Sequence, residues 1–332
     1  MQKKCNEIYK KILIFHTMKS NIEIHRTKKE YTKPPLTIES QIELLKNRWL
    51  IFSDEEYAKG FLNRVSYYRL SAYMRFFLSD DKETFRDKIK FKDITNLYNF
   101  DSDLKILLLE ALETIEIDFK TQITNILSTK YWTGFRFMDE DNFNSKEEFI
   151  NIIKHIESEI EKNKENSMPI KHYYDNYTSP KYPPCRMLMQ IMSFWNVCSL
   201  YKALSKLDKI VIAKRYWLRF QQIESRMVCL SYLRNICAHS DRVWNRQMKK
   251  NMTTKWIRQY SDKWNKLFTY LVVICYLFWN INPTAFSERM KKLIKGITKS
   301  NTINSKVKYM WFPDNRQNIL SWKIKIEHEN KH

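Results

Sequence analysis

The chain has 332 residues, 43% hydrophobic and 29% charged, which is enough apolar material for one large domain or two modest ones and too much for wholesale disorder. Only 3 glycines occur, at Gly60, Gly134 and Gly296, too few for the phosphate turns and tight β-turns of a Rossmann domain, a P-loop enzyme, a TIM barrel or a β-sandwich, so an all-α fold is left. Lys and Arg number 58 against 37 Asp and Glu, and the resulting +21 suits a nucleic acid or another anionic surface, although an AT-rich genome would also inflate lysine.

Residues 1–32 are basic and carry no sustained apolar period, which predicts a frayed or partly helical extension. Pro34-Pro35 punctuates the chain, and Thr37 is placed to cap a helix running through Ile42, Leu45 and Trp49. A second helix is expected over 53–62, where Ser53 and Glu56 have capping-box spacing. Tyr67, Leu70, Tyr73, Met74 and Phe77 then recur every three or four residues and read as core. Asp101 is expected to begin the clearest helix, whose Leu104, Leu108, Ala111, Ile115, Phe119, Ile123 and Ile126 share a stripe, with Asp101 and Asp103 suited to its positive N-terminal end. The stretch 139–166 holds nine acidic residues against four lysines and predicts a solvated helical insertion facing away from any polyanion.

Pro183-Pro184 opens a predicted helix with Met187, Ile191, Phe194, Cys198 and Leu200 or Tyr201 facing inward, and another helix covers 222–240. Residues 241–266 hold eight Lys or Arg against Asp241 and Asp262, interleaved with Trp244, Trp256, Tyr260 and Trp264. That mixture fits phosphate contact with base stacking, and equally a solvated face over buried tryptophans. The tail from Phe286 is again basic. The layout is therefore a basic extension (1–32), an N-terminal helical region (33–130), an insertion (131–182), a core carrying the motif below (183–285) and a basic tail (286–332).

The six cysteines, Cys5, Cys185, Cys198, Cys229, Cys237 and Cys275, form no CxxC pair and sit mostly in apolar runs, which suits a reducing cytosol. The N-terminal apolar stretch 12–15 is too short for a secretory core, so no signal peptide is expected. The longest apolar run, 267–281, falls short of the roughly 20 residues a bilayer requires and predicts a buried helix. A cytoplasmic protein with no membrane partner is the expectation.

The segment most suggestive of chemistry is Arg234-Asn235-Ile236-Cys237-Ala238-His239, followed by Arg242, Trp244 and Arg246. On a helix Asn235 and His239 share a face, while Arg234 lies about 100° round the axis and reaches over with its long side chain. A guanidinium can hold a phosphate bidentately, and imidazole is the side chain that ordinarily exchanges protons near neutrality. Together they suit RNA cleavage in which the substrate's own 2′-hydroxyl attacks the adjacent phosphate with no catalytic metal. One histidine per chain would then require two chains meeting about a two-fold axis. An Arg followed at this fixed spacing by His, with Asn directly after the Arg, is expected by chance about 0.03 times in such a chain. The plainer reading is a solvated or core-satisfied histidine on a basic helix. The other histidines are read as offering no metal-ligand set, and no cofactor is expected.

Arg234-Asn235-Ile236-Cys237-Ala238-His239 with Arg242-Val243-Trp244-Asn245-Arg246 resembles the signature of the Abi-like (AbiD/AbiF type) family of bacterial phage-resistance proteins, a branch of the HEPN superfamily. Similar blocks are Lys33-Pro34-Pro35-Leu36-Thr37 with Gln41 to Leu45, Ser66-Tyr67-Tyr68-Arg69-Leu70, Glu113 to Lys120, Pro183-Pro184 through Met192-Ser193-Phe194, and Trp311-Phe312-Pro313, in that order over about 33–323. The resemblance implies a HEPN-type helical bundle with a helical N-terminal region and an acidic insertion. It also implies a metal-independent endoribonuclease site shared by a homodimer, and a role in abortive infection as a toxin restrained by a small structured RNA. It assigns catalysis to Arg234 and His239, with Asn235 orienting the histidine or binding phosphate. Arg242, Arg246, Lys249, Lys250 and Trp244 are expected to contact RNA, and Glu116 and Lys120 to face the site from the central helix. Ser240 stands where relatives often carry a second histidine, Arg186, Met187 and Gln190 depart from the pattern after the double proline, and Trp195 replaces a small residue. The rival reading is a non-catalytic helical protein that sequesters a structured RNA.

Overall fold

In a computed structural model the described residues are 34–129, 132–250 and 267–281, together with Glu30, Thr32 and Met252. Among them the chain forms eleven α-helices and two 3₁₀ turns, with isolated bridges but no β-strand, so the all-α expectation holds. The expectations for 1–29, for Cys5, for Trp256, Tyr260 and Trp264, and for the tail 286–332 lie outside the described residues.

α1 (Ile38–Asn47) is capped by Thr37, whose side chain accepts from the Ser40 amide, and it buries Ile42 and Leu45. α2 (Glu55–Val65) is capped by Asp54 rather than Ser53: the carboxylate accepts from the Tyr57 amide at 2.9 Å. A charged acceptor at the positive helix end is a better cap than a hydroxyl one residue earlier. α3 (Tyr67–Met74) buries Leu70, Tyr73 and Met74, with Phe77 just beyond, while Tyr67 is half-buried.

α4 (Phe91–Thr129) has 39 residues and so runs about 58 Å through the molecule. It contains neither Gly nor Pro, and Phe91, Ile94 and Leu97 extend the apolar period upstream of Asp101. The helix therefore begins ten residues earlier than expected, and Asp101 is no N-terminal charge. Its carboxylate is wholly buried in mid-helix.

The acidic stretch folds mainly as α5 (Lys146–Asn163), and α6 (Met168–Asn176) follows it. It is not simply solvated, because Ile152, Ile156 and Ile160 join the core, as Ile170 does from α6. The helix expected after the double proline is two: α7 (Cys185–Ile191) and α8 (Phe194–Ala203), parted where Ser193 accepts from the Asn196 amide as a new cap. Phe194, Cys198, Leu200 and Tyr201 are buried, whereas Met187 and Ile191 are half-buried. Gly134 fixes the start of α7: its carbonyl accepts from the Cys185 amide at 2.8 Å, and a Cβ there would lie 3.0 Å from Pro184 Cβ. α9 (Lys206–Lys214), α10 (Phe220–Ala238) and α11 (Leu267–Ile281) follow.

α10 lies against α4 and α8, and α11 packs on α4 and α10. The described residues 267–277 of α11 are all buried, as the apolar run predicts. No helix among the described residues is long and apolar enough to cross a membrane. Residues from the N-terminal helices, the insertion and the motif-bearing part contribute to one continuous apolar cluster.

Candidate functional site

α10 sends Ile223, Met227, Leu230, Leu233, Ile236 and Cys237 into the core, which fixes the azimuth of everything else it carries. Arg234 and Asn235 fall outside that arc. The Arg234 side chain is 40% exposed, its Nε lies 3.7 Å from Glu116 Oε2 on α4, and its Nη1 donates to Asn235 Oδ1 at 3.4 Å. Glu116, one turn before Lys120, takes that ammonium at 2.8 Å. A cleft of about 640 Å³ opens here between α4, α7 and α10, its wall carrying Lys120, Arg186 and Arg234 against Glu113 and Glu116, with Gln190 beside them. The structure thus brings Arg234, Glu116 and Lys120 together at one wall of the cleft. Neither Asn235 nor His239 is among the residues lining this cleft, although Ala238 is.

His239 is exposed and ends α10, with φ −81° and ψ 8°. Its amide donates to the Asn235 carbonyl, the Ser240 amide to Cys237, and the Asp241 amide to Ile236, the last two at 3.0 Å. These are the two hydrogen bonds of a Schellman cap, in which the residue after the cap turns left-handed. Here that residue is Ser240, with φ 56°. Its carbonyl accepts from the Arg69 guanidinium of α3 and from Lys105 Nζ of α4, the latter at 3.3 Å.

The loop beyond is tied to Asp101. That carboxylate accepts from the amides of Val243 and Trp244, the latter at 2.6 Å, and from the Tyr73 hydroxyl at 2.6 Å, and it lies 3.5 Å from Lys105 Nζ. Burial beside this carboxylate pushes the Tyr73 phenol well above its ordinary range, so it stays a donor. Sequence reasoning missed Arg69, Tyr73, Asp101 and Lys105. The available signal was an Asp and a Lys four apart inside an apolar helix, a spacing that pairs charges on one face.

One of the RNA contacts expected from the sequence is corrected. Trp244 is completely buried, packed edge-on against Phe76 with centroids 4.1 Å apart, so no base can stack on it. Arg242 is half-buried: it donates to the Ala72 carbonyl at 3.3 Å and lies 5.0 Å over the Phe76 ring, and burial lowers its pKa. Arg246 is engaged with Asp241 and with the Arg242 carbonyl, each at 3.3 Å. Lys249 and Lys250 are exposed, and Lys250 Nζ sits 5.5 Å above the Trp195 ring.

Cys237 is buried, and desolvation pushes its thiol up to about 12, which disfavours the thiolate. Among the described residues no group of three His, Cys, Asp or Glu could hold a metal ion. The sequence reading of the histidines also passes over His328-Glu329-Asn330-Lys331-His332, which has the spacing of a two-histidine metal motif and lies outside the described residues.

A family model described as Abi-like protein matches residues 60–245, just over half of the chain, from within α2 to the loop after α10. No curated protein and no solved structure matches.

Proposed function

The chain belongs to the Abi-like protein family, and from that premise together with the charged cleft beside α10 we propose that it is a phage-defence endoribonuclease of the HEPN type, cleaving single-stranded RNA without a metal. The observation that carries the reading is the relation between two groups on one helix. Arg234 sits at the wall of a cation-rich cleft, steadied by Glu116, and His239 stands exposed at the helix end just past Ala238. A polyanion entering such a cleft meets three cations against two carboxylates.

In the proposed reaction the ribose 2′-oxygen attacks the adjacent phosphorus and the bond to the 5′-oxygen breaks. One imidazole takes the 2′-hydroxyl proton and another delivers a proton to the leaving oxygen. The guanidinium of Arg234 balances charge on the phosphorane, and the products are a 2′,3′-cyclic phosphate and a 5′-hydroxyl. Because each chain supplies a single His239, the second imidazole is assigned to His239 of the partner subunit in a two-fold dimer. The excess of positive charge supports a second role for RNA, a small structured partner that restrains the enzyme.

His239→Ala, in protein of unchanged Tm, is expected to abolish cleavage of single-stranded RNA that EDTA leaves untouched, while a gel shift shows RNA still bound. Arg234→Ala is expected to lose cleavage and to weaken binding as well. Wild-type turnover in His239→Ala refutes the reading. Binding without product across many RNAs supports a sequestering protein instead.

A further inference from the structure

Helix ends fray, and a cap residue left to itself samples several orientations. Displacement of a reacting group by about 1 Å can cost roughly a hundredfold in rate. His239 is such a cap residue, and it is exposed. The backbone immediately after it, however, is held firmly. The Ser240 carbonyl, one residue past the cap of α10, is met by two cations from two other helices, Arg69 and Lys105. Cations at a helix C-terminus are favourable because they meet the unsatisfied carbonyl charge. Lys105 is itself fixed by Asp101, and Asp101 also binds the Val243 and Trp244 amides. Residues 240–244 are therefore tied to one turn of α4 at both ends, and α4 is the helix that presents Glu116 to Arg234.

We infer that Arg69 and Lys105 are positioning residues for His239, clamping the Ser240 carbonyl so that the imidazole keeps a fixed place relative to the α4 wall of the cleft. The inference rests on the nuclease reading for its catalytic consequence, but the placement of the ring stands independently of it. Lys105 is buried against Asp101, so its removal risks the fold. Arg69 is exposed and reaches the carbonyl from α3, which makes it the residue to change.

The experiment compares wild type, Arg69→Ala and Arg69→Lys in the full chain, with a His239→Gln protein used to assign the His239 ring resonance. In Arg69→Ala the Cε1–H signal of His239 is expected to shift or broaden, and Arg69→Lys, which keeps a donor, is expected to restore it. In steady-state RNA cleavage Arg69→Ala should lower kcat at least tenfold with KM changed less than twofold, with recovery in Arg69→Lys. An unmoved His239 resonance in Arg69→Ala overturns the inference whatever the kinetics. So does a loss carried by KM, which would make Arg69 an RNA contact. If wild type cleaves no RNA the nuclease reading fails, and the resonance alone decides whether Arg69 positions the ring.

Discussion

Ser240 occupies a backbone conformation that glycine is usually chosen for. With φ 56° the left-handed turn costs an L-residue about 1–2 kcal/mol, through the clash between Cβ and the following carbonyl. Glycine would remove that clash, at an entropic cost in the unfolded chain of roughly 0.5–1 kcal/mol. Ser240→Gly is therefore expected to stabilise the protein by about 0.5–1 kcal/mol, read as a higher urea midpoint with unchanged slope. The clamp by Arg69 and Lys105 should survive, since both bind the backbone carbonyl and not the hydroxyl. A lower midpoint would mean that the serine side chain carries an interaction the backbone geometry does not account for. Residue by residue, the sequence reveals which side chains can do chemistry and conceals where loops place them. Arg234 was legible because helical spacing dictates its azimuth, whereas Glu116 and Lys120 were expected only from the family resemblance. Trp244 was not legible, because its burial depends on Asp101 and Phe76, both more than a hundred residues earlier in the chain.

Helices were legible wherever apolar residues recur at three or four, and their ends were legible only where a local cap decides them. Thr37 is such a case, and Ser193 is the counter-example: a serine inside an apolar run looks like an interior residue until the chain is seen to restart there. The start of α4 was hidden for a different reason. A carboxylate at the head of an apolar stripe has the look of an N-terminal charge, and only the fold supplies the loop amides that let Asp101 sit in mid-helix. The assignment of Trp244 to the structural side of that loop has a measurable consequence. Trp244→Leu removes the ring from a filled site and should cost about 2–5 kcal/mol of stability. Base stacking on an aromatic is worth about 1–3 kcal/mol, so loss of a true stacking platform would weaken RNA binding from several-fold to more than a hundredfold. Filter binding of the folded Trp244→Leu protein is expected to match wild type within twofold, at a lower Tm. A tenfold weaker affinity would return Trp244 to the RNA surface.

At the scale of the whole molecule, one long helix is shared by the core and the cleft, so the stability of α4 and the geometry of the site are one problem. The same helix leaves Ile106 at 60% and Ile117 at 57% exposure. Eleven positions apart is close to three full turns, so both lie on one face, and Ile117 also lines the cleft. Full burial of an isoleucine contributes about 1.5–3 kcal/mol, and in a two-fold contact every side chain counts twice. A dimer formed across this face would hold the two clefts close together, as a site needing two imidazoles requires. Turnover per chain is therefore expected to fall on dilution in step with the dimer fraction measured by sedimentation velocity. Ile106→Glu, which sets like charges against each other across such a contact and lies outside the cleft lining, should move both transitions to at least tenfold higher concentration without lowering the Tm of the chain. Turnover per chain that stays constant where sedimentation finds only monomer would mean that each chain works alone, and the second imidazole would then have to be replaced by another group of the same chain.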